Sequence, residues 1–257
     1  MSMFGFWISE KNELYKLNKW EFKQEQYHAS LVILQVFAGL LVLAGVILIS
    51  MWKSSPSSLH LGYQYRNYLY YILIPVQILF LLFCRWQNAA MAKKFTLVHK
   101  AVLIFEMTFL LCWAASLSSV DQLLHGDIIV YMMVCYAAAV ATRFSPVQFF
   151  VAYAISLAFF LIGIAYFQSD FERQIAQYIN GTLSMLVAYS IAIVFYRLRV
   201  RDFVSRKEVE EQKAEMERRV IERTADLAAA NEELKAEVIE RKTAEEKMAY
   251  FSLHDAL

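Results

Sequence analysis

The residues of this chain best suited to chemistry sit where chemistry is costly. Glu106 lies about nine residues into an apolar run, so a helix rising 1.5 Å per residue carries it to roughly mid-membrane depth. An ionisable group there is expensive and marks a functional position by default. Gln35, Gln77 and nearby serine hydroxyls are its candidate hydrogen-bond partners, an arrangement that would make Glu106 purely structural. Pro75 removes a backbone donor one half-turn before Gln77 and is expected to kink that helix and open space beside it. Asn180, Thr182 and Ser184 either line the same cavity or hold helices together. With Tyr131 these residues form the candidate sensing set, suited to an apolar or amphipathic small molecule.

The histidines allow a second chemistry. His28 and His99 each begin an apolar run and should share one depth, where two facing imidazoles could ligate haem iron axially. Lys93, Lys94 or Arg143 would then neighbour the propionates. Interfacial histidine is more often simply hydrogen-bonded. His60 and His125, with Asp121 and Asp127, match no defined ligand spacing, so no metal site is expected. Cys84, Cys112 and Cys135 stand in apolar segments without CxxC spacing and read as packing residues.

These side chains need a scaffold, and composition says which kind. Of 257 residues 59% are hydrophobic and 19% charged, against about 45–50% and about 25% in globular domains. Charge is concentrated in residues 201–248 and sparse in 29–198, so the net +1 averages two unlike parts and gives no reason to expect nucleic-acid binding. A spanning helix takes about 20 apolar residues. Spans are expected at 28–50, 68–86, 97–117, 127–143, 146–168 and 177–198, the fourth being short. No cleavable signal peptide is expected, because the first apolar run is long enough to span.

Lysine and arginine in the connections set the orientation. Lys11, Lys16, Lys19 and Lys23 precede the first span; Arg85, Lys93, Lys94 and Lys100 flank the second connection. Arg143 marks the fourth connection, and Arg197, Arg199 and Arg201 follow the last span. The alternate connections hold only Lys53, Arg66 and Arg173, so both termini are expected in the cytoplasm. Residues 6–27, with Trp7, Leu14, Leu17 and Trp20 among Lys and Glu, read as an amphipathic helix on the inner leaflet. Trp52, Tyr63, Tyr65, Tyr68, Tyr70, Tyr71, Tyr131, Tyr166 and Tyr178 read mainly as an outer aromatic belt.

Behind the last span the apolar period becomes seven. Val220, Leu227, Leu234 and Met248 occupy one seam position, completed by Arg241; Thr224, Asn231, Val238 and Glu245 occupy the other. Such a stripe brings two helices together, and Asn231 in the core favours an in-register parallel homodimer. Glu237 and Lys242 are placed to pair between the chains. The steps through Val209, Lys213, Met216, Val220 and Thr224 contain an insertion that locally unwinds a coiled coil, as a two-state transmitter requires. The fold class expected is therefore all-α: a six-helix transmembrane bundle, then a long cytoplasmic helix forming a parallel dimeric coiled coil. Its parts are residues 1–27, 28–198 and 199–250, followed by 251–257.

That last segment reads FSLHDAL and follows the charged run ERTADLAAANEELKAEVIERKTAEEKM. It resembles the entry to a bacterial GGDEF domain, which typically continues HDALTGLPNR; His254, Asp255, Ala256 and Leu257 carry the match. The resemblance implies the sensor and linker of a diguanylate cyclase of the bacterial inner membrane. Its GTP, Mg²⁺ and catalytic residues would lie beyond Leu257, so no catalytic residue is expected within the chain. It further implies that two such domains meet to form cyclic di-GMP, at a rate set by the geometry of the stalk. A histidine-kinase sensor is the first alternative, disfavoured by His254-Asp255 where a kinase usually continues His-Glu. A small transporter with an oligomerisation stalk is the second, and the chain shows no inverted repeat.

Overall fold

The computed structural model describes residues 18–53, 61–89 and 97–254. Among them are six α-helices and no strand: α1 Lys19–Lys53, α2 Leu61–Ala89, α3 Leu97–Val120, α4 Ile129–Ala141, α5 Pro146–Phe167 and α6 Phe171–His254. A single 3₁₀ turn, Asp121–Leu123, follows α3. The chain divides into two compact units, Met1–Asp202 and Phe203–Leu257.

Five helices are long and apolar enough to cross a membrane; α4 is apolar but shorter. Its 13 residues rise about 20 Å, against a hydrocarbon core of about 30 Å. The expected span 127–143 is thus trimmed at both ends. Gly126, at φ 80°, turns the chain before it, and extended Thr142 and Ser145 lead into Pro146 after it. Pro146 opens α5, where Gln148 Oε1 accepts from the Ser145 N–H at 2.8 Å and its hydroxyl at 2.9 Å. The first span is longer than expected: residues 19–27 continue into it as one helix instead of forming a separate amphipathic one. Trp7, Leu14 and Leu17 lie outside the described residues. The helical assignment of α2 runs through Pro75, and α6 begins six residues before the expected span at 177.

In the first unit α3 is central and packs on α1, α2, α4 and α5. Its register on α2 can be read from three contacts. Phe83 and His99 have ring centres 6.0 Å apart, Tyr70 and Trp113 are 5.6 Å apart, and the Trp113 indole donates to Leu69 O at 3.1 Å. Advancing along α2 is retreating along α3, so the pair is antiparallel.

The same reasoning makes α4 antiparallel to α3 and to α5. The Tyr131 N–H donates to Ser118 Oγ at 3.0 Å, while Thr142 lies against Met107. Tyr131 stacks on Phe160 at 4.6 Å, and the Tyr153 hydroxyl donates to Cys135 O at 2.7 Å. Two glycines permit the closest approaches: a Cβ at Gly181 would strike the Phe160 ring, and one at Gly163 the Ser119 side chain. Outside this core, Val36, Leu40 and Leu43 on α1, Leu79 and Leu82 on α2, and Phe159 and Ile162 on α5 are exposed. Water penalises such a surface and lipid does not.

The second unit is described by helix alone. From Val209 to Met248 nearly every residue is exposed, apolar ones included. Its ion pairs are local: Arg219 with Glu215 at 3.0 Å, Lys235 with Glu232 at 2.8 Å and Arg241 with Glu237 at 2.7 Å. Pairs of this kind contribute about 0.2–0.5 kcal/mol each and support a helix without giving it a tertiary partner.

Candidate functional site

Glu106 is 1% exposed and Gln77 fully buried, on the facing sides of α3 and α2. The register places them together between the Phe83–His99 and Leu69–Trp113 contacts. The Gln77 side chain is within hydrogen-bonding reach of the Glu106 carboxylate, although the contact is not well formed by distance and angle at Glu106 Oε1 or at either amide atom of Gln77. Leu73 and Phe80, one turn to either side of Gln77, are buried as well, as are Leu103, one turn before Glu106, and Met107, directly after it.

The remaining candidates do not join this pair in one enclosure. Gln35 on α1 is half-buried, Asn180 on α6 exposed and Thr182 half-buried. Ser184 is buried. Tyr131, assigned by sequence to the outer rim, is instead fully buried. Its stacking on Phe160 and the 3.4 Å approach of its hydroxyl to Ser156 Oγ explain why a tyrosine is stable there. Tyr68, Tyr71 and Tyr166 do lie exposed, as a belt requires. His99 is buried against Phe83 whereas His28 is exposed. A bis-imidazole haem site encloses both rings, so these unlike surroundings do not favour it. Among the described residues no three His, Cys, Asp or Glu side chains group as metal ligands; His60 lies outside them. Cys84, Cys112 and Cys135 are free thiols, the first and last buried.

Two polar clusters seal the ends of α4, and sequence reasoning missed both. After Ala141, the Arg199 guanidinium donates to Thr142 O at 2.8 Å and Val140 O at 3.3 Å, where the helix leaves carbonyls unpaired and its dipole is negative. The Arg143 N–H donates to Ser30 Oγ at 2.9 Å, and the Gln148 amide reaches the Tyr27 hydroxyl at 3.1 Å. Before Ile129, Gln122 Nε2 approaches Asp127 O at 3.3 Å, Gln177 Nε2 donates to Gly126 O at 2.8 Å, and Gln168 Nε2 donates to Gln122 Oε1 at 2.9 Å. Arg66 and Asp121 meet at 3.4 Å beside this cluster. Arg199 read as an orientation charge in the sequence; only the fold shows which carbonyls it meets.

On the second unit, Val220, Leu227, Leu234, Val238 and Met248 are each 59 to 70% exposed, and Thr224 and Asn231 are exposed too. The Thr224 hydroxyl donates to Val220 O at 2.7 Å, which satisfies it within its own helix. Glu237, expected to pair with Lys242 of a second chain, is engaged by Arg241 of its own. No family model matches the chain, and no curated protein or solved structure matches it either.

Proposed function

We propose that the chain is the sensor and transmitter half of a bacterial inner-membrane diguanylate cyclase. Its first unit is a six-span bundle with both termini in the cytoplasm, and its second forms a parallel coiled-coil homodimer that sets the geometry of the output domains. Support for six crossings comes from α4 running antiparallel to both α3 and α5 despite its length. Irregular backbone at membrane depth is tolerated where protein satisfies it, and the clusters at both ends of α4 supply such partners. Lys100, Arg143 and Arg199 lie in or beside the connections assigned to the cytoplasmic side.

The observation that carries the transmitter reading is the exposed stripe on α6 at Val220, Leu227, Leu234 and Val238. A solvated helix has no use for apolar residues at steps of seven, whereas a second copy buries them. The output assignment rests on the resemblance of the FSLHDAL ending alone. In the complete protein, membranes given GTP and Mg²⁺ should produce cyclic di-GMP, and Leu227→Lys with Leu234→Lys should abolish it together with the dimer. A complete protein that transfers phosphate from ATP to a histidine, and makes no cyclic di-GMP, would return the reading to a kinase sensor.

A further inference from the structure

Two guanidinium groups meet at the end of α4 without an anion. Arg199 donates to Thr142 O at 2.8 Å and to Val140 O at 3.3 Å, which sets it beside Arg143, the residue that follows Thr142. The two charges are close enough to repel each other. Arg143 is held at its root, where its backbone N–H donates to Ser30 Oγ at 2.9 Å. Among the described residues no carboxylate pairs with either guanidinium, and the Arg143 side chain makes no hydrogen bond. The other end of α4 is different. There Arg66 meets Asp121, and Arg173, beside Gly126, meets Asp170, each at 3.4 Å.

Capping accounts for Arg199 and leaves Arg143 over. A helix C-terminus carries about half a negative charge, so two guanidinium groups there leave a surplus of roughly one and a half positive charges. Both arginines are half-buried, and the contact of Arg199 with Val140 O lies at the exposed surface, so a ligand reaches them without an enclosed cavity. Val140 and Val147, to either side of Arg143 in sequence, are exposed apolar residues of the kind lipid covers. The planar fork of a guanidinium matches two oxygens of a phosphate, and a tetrahedral phosphate can accept from two such forks at once. On the membrane reading of the first unit, this end of α4 lies at the cytoplasmic surface, the depth of lipid phosphates.

We propose that Arg143 and Arg199 hold the phosphate of an anionic ligand, either a phospholipid headgroup or a soluble phosphate. The depth of the site rests on the membrane reading of the first unit; the output domain plays no part in it.

The purified chain in dodecyl maltoside, a detergent without phosphate, can be titrated with dioctanoyl phosphatidylglycerol, dioctanoyl phosphatidylcholine and inorganic phosphate while its unfolding midpoint is followed. Phosphatidylglycerol should raise the midpoint saturably, at a concentration at least about tenfold below that of phosphatidylcholine, whose own cation offsets its phosphate. A matching rise with inorganic phosphate would assign the site to a soluble ligand, and a rise with phosphatidylglycerol alone to a lipid. Arg143→Gln leaves the Arg199 cap in place, so it should melt like the parent without phosphate and respond at least about tenfold more weakly. Arg197→Gln removes the same charge from an exposed position nearby and should keep the response. If no phosphate raises the midpoint, if phosphatidylcholine matches phosphatidylglycerol, or if Arg143→Gln responds as Arg197→Gln does, the proposal is wrong and the arginines act only as a cap and as diffuse surface charge. Any of those results would leave dimerisation through the α6 stripe untouched, so the two accounts fail separately.

Discussion

The two units solve opposite problems with the same element. In Met1–Asp202 apolar side chains cover the outside and polar ones bond across helices, Arg199 to Thr142, Gln177 to Gly126 and Tyr131 to Ser118 among them. In Phe203–Leu257 polar side chains cover the outside and bond to residues three or four positions away on the same helix. The first unit has its tertiary partners within the chain. The second has an apolar stripe and no described partner for it. The difference teaches that the first unit meets its packing needs within one chain, whereas on the proposed reading the second meets them by association.

Substitutions can break this comparison from either side. The largest effect is expected at Gly181, where a Cβ would already strike Phe160. Gly181→Leu should destabilise the first unit by about 3 kcal/mol or prevent folding outright, as overpacking does, seen as loss of the thermal transition in nanodiscs. Arg199→Ala comes next. It leaves two carbonyls at the end of α4 uncapped and should cost about 2 kcal/mol, with Arg199→Lys recovering part of it. If Arg199→Ala melts like the parent, α4 is not held as described.

Leu234→Lys sharpens the other side. It should leave the melting of the first unit unchanged while weakening self-association at least about tenfold, a loss of about 1.4 kcal/mol or more measured by dilution of fluorescent subunits in lipid. The smallest effect is expected for Glu237→Gln, which removes one exposed pair with Arg241 and should change helicity or association by about 0.5 kcal/mol or less. A larger loss would mean that Glu237 bonds across the seam to Lys242, as the heptad pattern alone suggests.

The parts of this architecture legible in the sequence were those set by local chemistry. Pro146 fixes the start of α5, and sustained apolar runs placed the other long helices, because both signals act within a few residues. Residues 19–27 read as part of a separate amphipathic helix, and their continuity with α1 stays hidden in the sequence because it rests on contacts such as that of buried Phe22 with Tyr196. Glu106 and Gln77 could each be named from their cost in hydrocarbon, but that they face one another follows from the α2–α3 register, which no local pattern encodes. Tyr131 was misplaced for the same reason: a tyrosine near a helix start looks interfacial until Ser118, Ser156 and Phe160 are brought around it. Arg199 is the plainest case, because its charge is visible in sequence and its carbonyl partners are not.

The central claim is that the apolar stripe of the second unit is a seam between two parallel copies of this chain. Single cysteines can be placed at Asn231 and Val238 on the seam, and at Ala229 and Ala236 on the opposite face, in a background lacking Cys84, Cys112 and Cys135. Under mild oxidation in membranes, the seam cysteines should link like residues of two subunits efficiently, position 231 most of all, while the opposite face stays monomeric. Equal cross-linking on both faces, or none at 231 and 238, would contradict the account.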